Sequence, residues 1–339
     1  MAETISLAID AMGGDHGLNV TVAAAFLALC VAPRLKLLLV GDEPAIGKAL
    51  AAAKAGDLMA RIEIVHASEV VAMDESPSKA LRNKKDSSMR VAINAVKDGR
   101  VQGAVSAGNT GALMATAKFV LKTLPGIDRP AICAPMPSSK GRPYMLDLGA
   151  NAECTPEQLL QFAVMGSALV TALHEVAQPR VALLNIGEEE IKGNEAIKAA
   201  AQCLRKSSLN YTGYIEGDGI FRGEVDVVVC DGFIGNIALK TGEGVAKLVR
   251  DFMKAEFLAT PFSKIAALVA KPVLLRLAAR IDPRNYNGAA LLGLNGLVIK
   301  SHGGADAASF ANAIAVAMNA VEHDLIGRTR GLIAAALPR

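Results

Sequence analysis

At 339 residues, 52% of them hydrophobic, the chain is long enough to bury a sizeable core and reads as a compact globular protein. A net charge of +3, no Trp and only four Tyr leave neither the basic field nor the stacking platforms of a nucleic-acid binder. Five scattered cysteines, odd in number and never spaced CxxC, argue against a disulfide framework or a zinc site and fit a reducing cytoplasm.

The chain opens on a strand-like run, residues 5–9, with no basic or cleavable apolar lead, so no signal peptide is expected. A glycine turn, Asp10-Ala11-Met12-Gly13-Gly14-Asp15, and an alanine-rich helix to about Val31 follow. Apolar strands are expected at 35–40 and 62–65, with helices at about 44–54 and 88–97, the pattern of buried parallel strands. The run 101–105 then leads through Ser106-Ala107-Gly108-Asn109-Thr110-Gly111 into a helix over about 112–124. Segments 131–135 and 143–148 read as a strand pair around the turn 138–141, an antiparallel insertion. Thr155-Pro156-Glu157 starts a long helix to about Val176, with Pro156 where its missing NH costs nothing. Strands at 181–185, 211–215 and 225–230, with helices over 189–205 and about 237–258, resume the rhythm.

Between residues 259 and 296 three prolines interrupt an apolar and basic stretch, which reads as a helical appendage. Pro272 is expected to split it into two short helices. The last βα unit runs from a strand at 297–300 through Ser301-His302-Gly303-Gly304-Ala305-Asp306 to a helix over 307–323. The expected fold is α/β, a mostly parallel, doubly wound sheet with a small antiparallel insertion, in one interwoven unit over 1–339, with two lobes around a cleft as the variant form. No uncharged run reaches the roughly 18 apolar residues of a membrane-spanning helix.

In such sheets ligands collect at the carboxyl ends of the strands. Six polar, glycine-bearing turns are placed there: 10–15, 106–111, 147–151, 185–188, 231–236 and 301–306. The central one is 106–111, where Gly108 and Gly111 let the backbone close on a ligand and Asn109 or Thr110 can cap the following helix. Unpaired helical NH groups there suit a phosphate or carboxylate, although an ordinary strand-to-helix turn would use the same residues. Lys84, Lys85 and Arg90 belong to a cationic run just before a helix, either an anion site or a solvated face. No dinucleotide fingerprint, P-loop or GxSxG is present; Gly217 to Gly223 is misspaced and expected to lead into a strand. The five histidines lack metal-ligand spacing, so neither a metal nor a cofactor is expected.

The motifs at 10–15, 84–90, 106–112, 182–189 and 230–236 together resemble the bacterial phosphate acyltransferase family of phospholipid synthesis, from about residue 4 to 325. Leu18 departs from that pattern, in which proline is common after Gly-Gly-Asp. The resemblance implies transfer of a long-chain acyl group from acyl carrier protein to inorganic phosphate, giving acyl phosphate. It also implies a fold like that of the isocitrate and isopropylmalate dehydrogenases and phosphotransacetylase, a homodimer, and peripheral association with the membrane. A phosphotransacetylase-like enzyme using short acyl-CoA is the alternative.

Because phosphate is itself a nucleophile, no activated Ser or Cys is required. The residues expected to bind phosphate or substrate are Asp10, Gly13, Gly14, Asp15, Lys84, Lys85, Arg90, Ser106, Gly108, Asn109, Thr110, Gly111, Asn151, Asn185, Gly187, Asp231 and Gly235. Asn236, Lys300 and His302 are the expected catalytic groups, Lys300 or His302 serving the oxyanion or the sulfur. Lys264, Lys271, Arg276 and Arg280, among apolar neighbours, are expected to dock the carrier protein or an anionic membrane surface, with dimer packing as the other reading.

Overall fold

The computed structural model describes residues 4–53 and 56–336, the side chains of 278–281 and 283 excepted. Its first half alternates β1 (Ile5–Asp10), α1 (Leu18–Val31), β2 (Leu35–Gly41), α2 (Glu43–Ala52), β3 (Ile62–His66), α3 (Pro77–Asn83), α4 (Ser88–Lys97), β4 (Gly103–Ser106) and α5 (Thr110–Leu121). Strands β5 (Ala131–Pro135) and β6 (Tyr144–Leu146) precede α6 (Pro156–His174), β7 (Arg180–Leu184), α7 (Glu195–Lys206), β8 (Asn210–Ile215), α8 (Gly217–Arg222) and β9 (Val227–Val229). Two long helices, α9 (Gly232–Ala259) and α10 (Pro261–Ile281), lead to β10 (Ala289–Leu292), β11 (Leu297–Lys300), α11 (Ala307–Glu322) and α12 (Leu325–Ala336).

The strands form one eleven-stranded sheet in the order β3-β2-β1-β4-β11-β10-β5-β6-β9-β7-β8. β3, β2, β1, β4 and β11 are mutually parallel, as are β6, β9, β7 and β8. Between the edge strands β3 and β8 the apolar runs are buried, with α4 packed against β1, β2 and β4 and α11 against β1, β4 and β11. β10 lies antiparallel to both β11 and β5, and β5 lies antiparallel to β6. The second parallel set therefore runs opposite to the first, and the six glycine turns do not share one edge of the sheet. Each of the six still lies at the carboxyl end of its strand, as the sequence predicts, but they fall into two groups of three. The cause is the strand pair β5 and β6, which reverses the strand sense partway across.

Local sequence explains most boundaries. Side-chain oxygens of Asp42, Asn109, Asn194, Asp231 and Asp306 cap α2, α5, α7, α9 and α11, and Thr155 with Gln158 forms a capping box on α6. Two expectations fail on backbone grounds. Gly217 to Arg222 is a one-turn helix rather than a lead into a strand, and Asn194 delays α7 to residue 195 by offering the cap there. Pro272 sits inside a continuous α10 instead of dividing it. The carbonyl that Pro272 leaves unpaired lies on a helix with no buried residue among those described, where water can take it. Residues 289–292, read as appendage, form a strand within the sheet.

Of the 28 residues of α9 only Gly232 and Gly235 are buried, and none of the described residues of α10 is. The two helices pack on each other and expose Phe252, Phe262, Ile265, Leu268, Val269 and Val273, Phe262 to 81%. No helix among the described residues is long and apolar enough to cross a membrane.

Candidate active site

Parallel register brings three polar residues side by side. Lys300 pairs with Ser106 across β11 and β4, and Ile9 pairs with Val105 across β1 and β4, so Asp10, Ser106 and Lys300 end three adjacent strands. Asp10 is fully buried and accepts hydrogen bonds from Ser106 Oγ at 2.6 Å and Ser88 Oγ at 2.6 Å. Ser106 Oγ in turn accepts the Gly108 NH at 3.1 Å. Burial raises the Asp10 pKa above the usual carboxylate range, while the two hydroxyls and the NH groups of Met12 and Gly13 pull it back.

The turns around this carboxylate admit only glycine. A Cβ on Gly13 would stand 2.5 Å from Asp10 Oδ2 and 2.9 Å from the Gly108 nitrogen. Gly14, at φ +91°, would put one 3.0 Å from the Gly303 carbonyl oxygen. That carbonyl accepts the Asp15 NH at 2.9 Å, locking turn 10–15 to turn 301–306.

Lys300 is only 9% exposed, and its Nζ donates to the carbonyls of Ala107, at 3.3 Å, and Ser301. Burial depresses its pKa to about 8, partly offset by Asp10 and Asp15 and reinforced by Lys240. This buried cation thus sits against the glycine turn that leads into the first turn of α5. The NH groups of such a turn have no helical acceptor. Asn109 Oδ1 takes that of Ala112 at 2.9 Å. Its Nδ2 is committed to the carbonyls of Met73, at 2.7 Å, and Glu75, at 3.0 Å. Asn109 therefore contributes backbone and bracing, while among the described residues no side-chain hydrogen bond occupies Thr110.

A second set gathers at the ends of β6, β9 and β7. Asp147 is buried and accepts from Ile132 NH, Ala150 NH and both nitrogens of Asn151, at 2.6 to 3.1 Å; burial raises its pKa. A Cβ on Gly235 would meet the Asp147 carbonyl oxygen at 1.9 Å, and one on Gly232 the Asn151 carbonyl oxygen at 2.6 Å. Asn151, Asp231 and Gly235 are thereby committed to folding the β6 turn onto α9, Asp231 as its cap. Asn236 stays exposed beside Gly149. Asn185 lies against Gly193 with its Nδ2 buried and unpaired, and Gly187 lies against Glu189 and Lys192.

The two sets meet through α9. Lys240, one turn beyond Asn236, places Nζ 3.1 Å from His302 Nε2, while the Gly304 NH donates to His302 Nδ1 at 3.0 Å. Burial, then Lys240, lowers the His302 pKa. The cationic run reaches this core through Ser88, while its cations make no hydrogen bond to it among the described residues. Lys84 is paired with Glu75 at 2.8 Å, Lys85 is exposed, and Arg90 lies 5.0 Å from the centroid of the Phe119 ring. Sequence reasoning missed Ser88 and Lys240. Ser88 was read for the cations around it, and nothing in sequence links Lys240 to a histidine 62 residues away. Burial pushes the thiols of Cys133 and Cys230 well up and that of Cys154 to about 12, so none of these three is poised for attack.

The architecture and site define an α/β enzyme of the phosphotransacetylase-like fold. It superposes on the phosphotransacetylase of Staphylococcus aureus with a TM-score of 0.59 at 17% identity, over 94% of each chain. A branched-chain phosphotransacylase from Enterococcus faecalis gives 0.57 at 13%, over 94% of this chain and 100% of that one. At such identities the likeness is one of fold. A sequence family described as "Fatty acid synthesis protein" matches residues 5–328. Curated proteins named phosphate acyltransferase are 59% identical in Alkalilimnicola ehrlichii, over 94% of this chain and 93% of that one, and 56% identical in Chromobacterium violaceum, over 98% and 96%. The chain belongs to the phosphate acyltransferase family and is an acyltransferase.

Proposed function

We propose that the protein transfers a long-chain acyl group from acyl carrier protein to inorganic phosphate by direct attack. A phosphate oxygen bonds to the thioester carbonyl carbon, the carbon–sulfur bond breaks, and the thiolate leaves as the carrier thiol after taking one proton. The product is an acyl phosphate for phospholipid synthesis.

The observation that carries this reading is Lys300. It is buried, cationic below about pH 8, bonded to carbonyls alone among the described residues, and set beside the closely packed glycine turn that leads into α5. In this reading phosphate lies between Lys300 and the first turn of α5, held by the NH groups of Thr110 and Gly111 and by the Thr110 hydroxyl. Asp10 orients Ser106 and Ser88 without touching substrate. His302 and Lys240 face the leaving sulfur, and Asn236 the carbonyl oxygen, where a neutral donor stabilises the oxyanion. The high thiol pKa values favour direct attack over an acyl-enzyme.

The exposed α9 and α10 pair supports a homodimer that touches membranes peripherally, because an apolar surface of this extent needs a cover. Lys264, Lys271 and Arg276 are the cations described on α10; the side chain of Arg280 lies outside the described residues.

The test is a donor comparison. Palmitoyl carrier protein and acetyl-CoA are each mixed with enzyme and phosphate while free thiol is followed. Rapid phosphate-dependent release from the carrier, and little from acetyl-CoA, is expected; the reverse preference would establish the phosphotransacetylase alternative.

A further inference from the structure

A strong charge asymmetry lies outside the active site, on helices α3, α4 and α5 and the residues that follow α3 and α5. Residues 76–97 and 110–125 carry eight cations and a single acid, a net +7 against +3 for the whole chain, so the remainder is net negative. Lys84 is ion-paired with Glu75. Lys79, Arg82, Lys85, Arg90 and Lys122 have no acidic partner within ion-pair distance among the described residues. The three helices are contiguous, since α5 packs against both α3 and α4.

This face begins at the rim of the site. A Cβ on Gly111, in the first turn of α5, would lie 2.7 Å from Cγ of Pro77, the first residue of α3. Asn109 is tied to the segment before α3 through the Met73 and Glu75 carbonyls. A partner seated on the face therefore abuts the turn in which phosphate is placed.

The chemistry of the face separates the possible partners. Phe119 is the one large hydrophobic side chain on α3, α4 and α5 that is exposed, at 52%, and two cations clamp it: Arg90 at 5.0 Å and Lys122 at 4.8 Å from the ring centroid. A membrane surface would call for several protruding apolar groups, as on α9 and α10. A lone phosphate or nucleotide would call for convergent donors, whereas these cations are spread over three helices. Dispersed cations around one aromatic anchor match an acidic protein surface, with long-range attraction and a small apolar contact.

From this we infer that the α3–α4–α5 face is the dock for an acidic protein that carries the acyl thioester, leaving the α9 and α10 pair free for another contact. The inference rests on the proposed reading that the donor is carrier-borne. Docking there sets the tethered thioester at the Gly111 rim, so charge on this face governs capture of the donor and leaves the chemical step untouched.

The test is the triple variant Lys79→Glu, Arg82→Glu, Lys122→Glu, three exposed side chains outside the proposed catalytic and phosphate-binding groups. Its melting temperature should match that of the parent. KM for palmitoyl carrier protein should rise about tenfold or more, with kcat unchanged and with no change in KM for palmitoyl-pantetheine, which lacks the protein. Added salt should raise the parent's KM in the same way and the variant's much less. An equal rise for both donors would place the charges at the active site instead. Loss of binding to phosphatidylglycerol vesicles with normal use of the carrier would make the face a membrane contact. Either result, or an unchanged KM in an enzyme that does use the carrier, overturns the dock alone. A parent enzyme that uses acyl-CoA and ignores the carrier-borne donor overturns the donor reading and the dock with it.

Discussion

Lys240 Nζ and His302 Nε2 lie 3.1 Å apart across the junction of the two parallel strand sets. The Gly304 NH can only donate, so His302 Nδ1 accepts, and a neutral ring keeps its proton on Nε2, facing the Lys240 ammonium. Two donors thus converge with no acceptor between them. An anionic oxygen or sulfur entering there would accept from both. Lys240→Met should lower kcat at least about tenfold while barely moving the melting temperature, because the side chain is half exposed and its ion pair with Glu243 is a surface one. Kinetics beside a thermal melt checks this; a normal kcat would remove Lys240 from the chemistry.

Lys300 gives opposite pH signatures in activity and stability. Its pKa falls from 10.5 to about 8, so between those values the unfolded chain binds more protons than the native one, and this group's contribution to stability rises with pH. Activity should do the reverse, falling as the ammonium deprotonates above about pH 8. In Lys300→Arg the alkaline fall should move beyond the accessible range. A pH profile with the same alkaline limb in both proteins would show that another group sets it.

Asn109 and Thr110 should separate structure from binding. Asn109→Ala removes the α5 cap and the brace to Met73 and Glu75, and should cost about 1–3 kcal/mol of stability, visible in a denaturant melt. Thr110→Ala breaks no side-chain hydrogen bond among the described residues and should instead raise KM for phosphate. Equal effects of both changes on stability, with normal phosphate dependence, would make the turn purely structural.

On α10, Lys271→Glu with Arg276→Glu should weaken sedimentation with anionic vesicles, and added salt should mimic the change in the parent. The double variant should keep its oligomeric state if cations face lipid. Dissociation in size-exclusion chromatography would instead identify these residues with subunit packing.

The βα order, the central turn and most helix starts were legible in the sequence because they rest on local signals. Apolar runs mark buried strands, and Asn109 and Thr155 mark caps, whereas α9, expected from about residue 237, starts five residues earlier, after its cap Asp231. The reversal of strand sense at β5 and β6 was not, since pairing direction depends on partners distant in sequence. The antiparallel insertion itself could be read, but not that it would separate six similar turns into two sets. Asp10, Ser106 and Lys300 were all singled out as polar ends of strands, and register alone unites them. Ser88 and Lys240 carry no distinguishing pattern, because what each does depends on Asp10 and His302, both brought near by the fold.

The central claim is direct attack by phosphate, and single-turnover thiol release tests it most directly. A variant with all five cysteines replaced by Ala or Ser is mixed with palmitoyl carrier protein, with and without phosphate. Protein-bound acyl group, free thiol and acyl phosphate are quantified. The account predicts nearly parental rates, thiol released only with phosphate, acyl phosphate in equal amount, and no acylated enzyme. Thiol release without phosphate, or an acyl-enzyme that phosphate later discharges, would contradict it.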